Sequence, residues 1–197
     1  MTREQAECVM LAAGASRRMK TWKMMLPFEE ATIIECSVRR ALEACSRVVV
    51  VTGFRGEELE ALFAGCDRVE CVRNDHYELG MLSSAQAGAA RVQTERFFIA
   101  LGDMPLVTPE LYRLLLTYSG VDAVIPKYLG KKGHPLLVSR AVRESLLCFD
   151  ETQTLREVLA LYPTLAVPVE SRHVLHDIDD PEDYEALRTG PQETGAK

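Results

Sequence analysis

Five short apolar runs, each followed by a stretch with helical spacing, limit what this chain can fold into. The runs are Cys8–Ala12, Val48–Thr52, Val69–Val72, Phe97–Leu101 and Ala123–Pro126. They are rich in β-branched residues and mostly apolar without alternation, the pattern of strands buried on both faces. Between them, the residues from Ile33 to Leu42, Leu59 to Phe63, Leu82 to Val92 and Leu111 to Tyr118 repeat apolar positions at helical spacing, and Pro109 suits the start of the last of these. Strand–helix alternation predicts an α/β domain with a mostly parallel sheet and helices on both faces, three layers in all. The second half is less regular. His134–Ser139 reads as a strand, and Thr154–Leu161 and Pro181–Leu187 read as helices, the latter capped by Asp179 or Asp180. In such sheets ligands sit at the carboxyl ends of the strands, so the loops that follow the runs are the places to search.

With 197 residues, one domain over 1–189 is expected, with 190–197 as a polar, flexible tail. A net charge of −6 gives no nucleic-acid footprint. No apolar stretch approaches the ~20 residues of a membrane span, and no secretory leader is read at the N-terminus, so a cytoplasmic location is expected. Cys8, Cys36, Cys45, Cys66, Cys71 and Cys148 form no CxxC pair and read as reduced, mostly buried thiols. His76, His173 and His176 lack zinc-site spacing and read as surface groups or supports of a site.

The first loop, Leu11-Ala-Ala-Gly-Ala-Ser-Arg-Arg-Met19, is neither a Walker A loop nor GxGxxG. Its small residues leave backbone N–H groups bare, and Arg17, Arg18, Lys20 and Lys23 bring four positive charges within seven residues. It suits phosphate, although a solvated turn has the same composition. Leu101-Gly-Asp-Met-Pro105 puts Asp103 at a strand end, as a magnesium ligand or as a plain turn aspartate. Asp177-Ile-Asp179 places two carboxylates on one face of an extended segment, and one neighbouring aspartate can cap a helix while another binds metal. Ser83 and Ser84 suit either a base edge or a turn and cap. No Ser-His-Asp or Cys-His pair demands a nucleophile.

These motifs, in this order, resemble one family. LAAGxSxRM at 11–19 with Lys23-x-x-Leu-Pro27, Gly102-Asp-Met-Pro105, and Asp177-Ile-Asp179 with Pro181-Glu-Asp-Tyr184 are similar to the MobA-like nucleotidyltransferases that act on the molybdenum cofactor. The resemblance spans roughly residues 7 to 188. It implies a Rossmann-like, GT-A-like fold and an Mg²⁺-dependent enzyme. Arg18 and Lys23 would contact the triphosphate, and Asp103 would hold the metal with Asp179 or Asp177. The strand-end segments Leu11, Ala12, Ala13, Gly14 and Ser16, then Thr52 and Gly53, Gly80, Ser83 and Ser84, and Gly102, would enclose the nucleotide. Lys20 stands where the family more often has glycine, and Asp180 where threonine is commoner.

Within the family, LAAG at 11–14 is similar to the cytidylyl members, whereas guanylyl members tend to read LAGG. Lys131, Lys132, Gly133, His134 and Pro135 resemble the acceptor side of molybdenum cofactor cytidylyltransferases; a polar hairpin rim with a satisfied histidine is the alternative. The resemblance therefore implies transfer of CMP from CTP to molybdopterin. A molybdenum hydroxylase or its maturation chaperone would be a transient docking partner. Transfer to another phosphorylated acceptor, use of GTP, and a non-catalytic carrier of the molybdenum cofactor stand as alternatives.

Overall fold

The structure is a computed structural model, and it describes residues 6–19, 21–150 and 152–189. The tail 190–197 and Lys20 lie outside the described residues, as does the side chain of Arg17.

The strands are β1 (Glu7–Leu11), β2 (Pro27–Phe28), β3 (Ala31–Thr32), β4 (Val48–Thr52), β5 (Val69–Arg73), β6 (Arg96–Leu101), β7 (Ala123–Tyr128), β8 (Lys131–Lys132), β9 (Leu136–Ser139) and β10 (Thr164–Pro168). The helices are α1 (Ile33–Leu42), α2 (Gly56–Phe63), α3 (Met81–Ala89), α4 (Pro109–Leu116), α5 (Arg140–Cys148), α6 (Leu155–Ala160) and α7 (Pro181–Thr189). An eight-stranded sheet runs in the order β10-β7-β9-β6-β1-β4-β5, with β8 paired to β7. The β5-β4-β1-β6 portion is parallel; β9 runs antiparallel between β6 and β7, and β10 is parallel to β7. All five apolar runs are strands. The expected strand at 134–139 starts two residues later, after a cis His134–Pro135 bond. The β2–β3 hairpin, β8, β10 and α5 were not anticipated.

Alternation along the central strands builds the two cores. Cys8 and Met10 of β1 and Phe98 and Ala100 of β6 face a cluster with Ile34, Val38, Leu59, Tyr112 and Leu115, from α1, α2 and α4. Val9, Leu11, Phe97 and Ile99 face the opposite cluster with Leu82, Ala85, Val142, Leu146 and Val158, from α3, α5 and α6. Helices thus cover both faces, and neither face of the central strands meets water. Of the six cysteines, Cys8, Cys36 and Cys45 are buried, Cys71 is intermediate, and Cys66 and Cys148 are exposed, so burial reaches only half of them. No described helix is long and apolar enough to cross a membrane.

Chain order from β1 runs outward through β4 to β5 and then returns past β1 to β6. The order therefore reverses between β1 and β6, and a crevice opens beyond their carboxyl ends, where Leu11 is paired with Leu101. The opposite end of β1 is closed by a buried carboxylate. Glu7 accepts hydrogen bonds from the Gln93 and Thr94 backbone N–H groups at 2.5 and 3.0 Å and from the Arg47 guanidinium at 2.7 Å. Burial pushes its pKa up, but these donors outweigh it and hold the carboxyl below its ordinary value of 4.5. A lowered folded pKa means stability that is present above the unfolded value and lost as pH falls through the folded one. Glu7→Gln is expected to lower stability at neutral pH by about 1–3 kcal/mol. It should also flatten the loss on acidification below 4.5. Denaturant midpoints of both proteins at neutral and acid pH check this.

Candidate active site

Leaving β1, the chain is held close to both neighbouring strands. Ala12 N–H donates to Val51 O at 3.0 Å, Gly102 N–H donates to Leu11 O at 2.9 Å, and Phe54 N–H donates to Ala13 O at 3.1 Å. Ser16 then adopts the left-handed region (φ 50°), and its carbonyl accepts from Met19 N–H. Its hydroxyl accepts from Lys23 N–H at 3.3 Å, which folds the loop back and fixes Lys23 by its backbone. Beside Lys23, the buried Trp22 ring lies under the Arg55 guanidinium at 4.9 Å and edge-on to Phe54.

Asp103, 9% exposed, follows β6. Its carbonyl accepts from Ile178 N–H at 3.2 Å, which ties the two acidic motifs together. Ile178 is buried with Met19, Phe28, Ile33 and Cys36. The flanking Asp177 and Asp179 both line the same cleft as Asp103, as their alternation predicts. One carboxylate oxygen from each of the three lies within 4.8 Å of the others. Three hard oxygen donors at this spacing suit a divalent cation of the magnesium or manganese kind, and no soft ligand competes among them. Asp180 takes the capping role instead: its carboxylate accepts from Asp183 N–H at 2.9 Å, and Asp183 accepts from Asp180 N–H at 3.2 Å.

Two cations complete the cluster. Lys23 Nζ lies 2.5 Å from Asp103 Oδ2 and 3.2 Å from Asp179 Oδ1, and the Arg18 guanidinium lies 2.6 Å from Asp179 Oδ2. Burial, with Asp177 adding to it, lifts the Asp103 pKa above the ordinary range although Lys23 pulls it down. Burial disfavours the Lys23 ammonium, but Asp103 and Asp179 outweigh this and raise its pKa, so it stays charged. The cleft has a volume of about 540 Å³.

The nucleotide residues expected from sequence divide into two layers. Leu11, Ala13, Gly14, Ser16, Gly80 and Ser84 line the cleft. Ala12, Thr52, Gly53, Ser83 and Gly102 lie outside its lining. The Thr52 hydroxyl is buried and donates to Glu60 at 3.3 Å. Gly53 packs so closely that a Cβ there would stand 2.8 Å from both Ala13 O and Tyr77 Cγ. Ser83 donates to His76 O and Gly80 O and accepts from Asn74 Nδ2, which also donates to Ser84. Asn74 therefore braces the loop that carries Gly80. The Gly102 carbonyl accepts from Ser37 Oγ at 2.9 Å. Sequence reasoning missed Tyr77 and Glu78, which line the cleft from the loop before α3. Asn74-x-x-Tyr77, just after the third apolar run, is their one signal.

The expected acceptor segment stands beside the cleft rather than in its lining. Lys131 and Lys132 are exposed on the β7–β8 hairpin. Gly133 is buried against Val174, and Pro135 is buried in front of β9. His134 N–H donates to Val174 O at 2.9 Å, its Nδ1 is buried without a partner, and burial holds its pKa below the ordinary value. This part of the chain joins the metal cluster through Val174, three residues before Asp177.

Comparison with known proteins agrees with this geometry. The MobA-like NTP transferase domain matches residues 8–169. The molybdenum cofactor cytidylyltransferase of Escherichia coli K12 is 36% identical over 178 residues, 90% of this chain and 93% of that protein. A probable molybdenum cofactor guanylyltransferase of Methanosarcina mazei is 35% identical over 65% of this chain and 60% of its own length. Among solved structures, Rv0371c of Mycobacterium tuberculosis H37Rv superposes with a TM-score of 0.80 at 25% identity, covering 93% of this chain and 97% of that one. The same mycobacterial protein has been crystallised in complex with manganese, and that structure gives a TM-score of 0.78 at 24% identity, covering 93% of this chain and 97% of that one. The family model spans most of the chain and the cytidylyltransferase match covers nine tenths of it, so the chain belongs to the MobA-like NTP transferase family of nucleotidyltransferases.

Proposed function

We propose that the protein transfers CMP from CTP to the terminal phosphate of the molybdenum cofactor, forming the cytosine dinucleotide form of the cofactor and pyrophosphate. The observation that carries this reading is the cluster of Asp103, Asp177 and Asp179 with Lys23 and Arg18, gathered at the carboxyl ends of β1 and β6. Three carboxylates beside two cations repel a bare triphosphate, so the cleft accepts one only together with a divalent ion. Mg²⁺, held by Asp103 with Asp179 or Asp177, would neutralise the phosphoryl oxygens as charge develops on them.

In this reading the acceptor phosphate, already ionised, attacks the α-phosphorus of CTP in line. The new P–O bond forms as the bond to pyrophosphate breaks, and pyrophosphate carries off the electron pair. No general base is required. Lys23, fixed by Ser16, and Arg18, paired with Asp179 at an exposed position, supply positive charge to the triphosphate. The bare backbone of Ala13–Ser16 lets phosphate oxygens approach, and the loop braced by Asn74 walls the nucleoside. Lys132, Gly133, His134 and Pro135 position the acceptor from the β9 side.

Cytidine is favoured by Ala13, which lines the cleft at the position where guanylyl relatives tend to carry glycine. The 36% identity to a cytidylyltransferase over nine tenths of the chain supports the same choice. The product would pass to a molybdenum hydroxylase, directly or through a maturation chaperone.

Pyrophosphate release with Mg²⁺ and molybdenum-loaded molybdopterin, with CTP and GTP in parallel, tests the reading. Release with CTP is expected to exceed release with GTP by about tenfold or more, the worth of one well-placed contact. Preference for GTP would overturn the cytidine assignment and leave the chemistry standing. Silence with both nucleotides, alongside tight cofactor binding, would favour a carrier.

A further inference from the structure

Two cations hold one carboxylate oxygen of Asp103 and both of Asp179, in the cluster that would seat a divalent ion. Lys23 Nζ contacts Asp103 Oδ2 and Asp179 Oδ1, and Arg18 takes the remaining oxygen of Asp179. An ion of the magnesium kind binds carboxylate oxygens at about 2.0–2.1 Å. Bound to those same oxygens, it would lie within a few ångströms of the ammonium. Lys23 is only 7% exposed, so little solvent would screen that repulsion. Ammonium and ion therefore exclude one another.

We infer that Lys23 and Arg18 are displaceable counter-ions: the carboxylate seat opens to a divalent cation only when a nucleoside triphosphate draws these two side chains away. The inference rests on the nucleotidyltransferase reading and gives it an order of events. Metal arriving alone meets Asp103 and Asp179 already paired with cations. Arriving with a triphosphate, it replaces the two cations as they move onto the phosphates. Throughout the exchange Asp103 keeps a cation and Lys23 keeps an anion. Neither is left buried and unpaired, the state that costs most. Metal and triphosphate then bind with positive coupling, and linkage makes that coupling reciprocal. The coupling resides in two side chains and needs no domain movement.

Binding of Mn²⁺ to the full-length protein without nucleotide, followed by the electron paramagnetic resonance of free Mn²⁺, tests this. Lys23→Met removes the competing charge at similar side-chain length and is expected to bind Mn²⁺ about tenfold tighter than the wild type, a difference of about 1.4 kcal/mol. Arg18→Gln, at an exposed position, is expected to bind about threefold tighter. Trp22, the only tryptophan, adjoins Lys23, so wild-type emission should change when CTP and Mn²⁺ are added together and stay constant with Mn²⁺ alone. If Lys23→Met fails to fold, Arg18→Gln and the Trp22 signal carry the test. Mn²⁺ binding to the wild type as tight as to the variants, and lost in Asp103→Asn, would overturn the exchange while leaving the nucleotidyltransferase reading intact. Failure of all these proteins to bind Mn²⁺ even with CTP present would remove both.

Discussion

Asp103→Asn is expected to cut pyrophosphate release by about 10³-fold, about 4 kcal/mol of transition-state stabilisation, while moving the melting temperature by only a few degrees. The two effects separate because of where Asp103 sits. Its carboxylate is buried beside Asp177, and burial already lifts its pKa, so the charge itself costs the fold something. Asparagine removes that cost and keeps the size of the side chain. Lys23 retains Asp179 at 3.2 Å, so no buried cation is stranded. The backbone bond from Ile178 N–H to the carbonyl of residue 103 does not depend on the side chain. What is lost is one negative charge of the three carboxylates that lie within 4.8 Å of one another, the charge proposed to hold the divalent ion. Steady-state turnover with saturating CTP, alongside calorimetric melting, reads both quantities. More than a tenth of wild-type turnover in a folded Asp103→Asn protein would remove the metal role from this residue.

The parts of this site visible in sequence are those whose chemistry travels with a short segment. The apolar run Cys8–Ala12, followed by small residues and cations, marks the loop that lines the cleft without any knowledge of the fold. Alternation in Asp177-Ile178-Asp179 was enough to put two carboxylates on one side and the buried isoleucine on the other. The capping of α7 was legible because Asp180 and Asp183 lie three residues apart across a proline. Hydroxyl orientation was not legible. Thr52 ends β4 and Ser83 lies in the first turn of α3, and only the fold turns Thr52 toward Glu60 and Ser83 toward the His76 carbonyl. The pairing of Lys23 with Asp179 spans 156 positions, a distance over which no local pattern carries information.

The elements missed have physical reasons of the same kind. α5 buries only Val142 and Leu146 and leaves Ala141, Leu147 and Cys148 exposed, so its apolar residues do not all mark the buried face. Its one clear mark is Ser139, whose hydroxyl accepts from Val142 N–H at the helix start. β10 is an edge strand that is mostly half-buried and ends at Pro168, and its pairing with β7 is set by the fold rather than by its own composition. The two-residue strands β2 and β3 are held by α1, which packs against them, and carry no period of their own.

Gly133→Ala is expected to lower stability by about 2–4 kcal/mol, with the melting temperature falling roughly 4–16 °C. It should impair transfer more than that loss of folded protein explains. A Cβ at 133 would stand 2.0 Å from Val174 O and 2.7 Å from Val174 C, and both are backbone atoms that no rotamer change can move aside. The segment is also pinned on its other side, where Gly133 N–H donates to Pro126 O at 2.9 Å. Relief therefore requires the 172–175 turn to shift, which breaks the 2.9 Å bond from His134 N–H to Val174 O. That turn leads directly into Asp177 and Asp179, so the displacement reaches the carboxylate cluster along the chain. Gly120→Ala supplies the control. Gly120 has φ +76° and nothing within 4 Å of an added Cβ, so alanine there costs about 1–2 kcal/mol of backbone strain. It lies in the loop before β7, far in sequence from the motifs, and its transfer rate per folded molecule should match the wild type. The comparison to make is the apparent KM for the acceptor and the Mn²⁺ affinity of the two variants at a temperature where both are folded. Weakened metal or acceptor binding in Gly133→Ala alone ties the GHP segment to the reaction through backbone position. Equal values in the two variants would make Gly133 a packing glycine only, and the case for the acceptor side would then rest on Lys132 and His134.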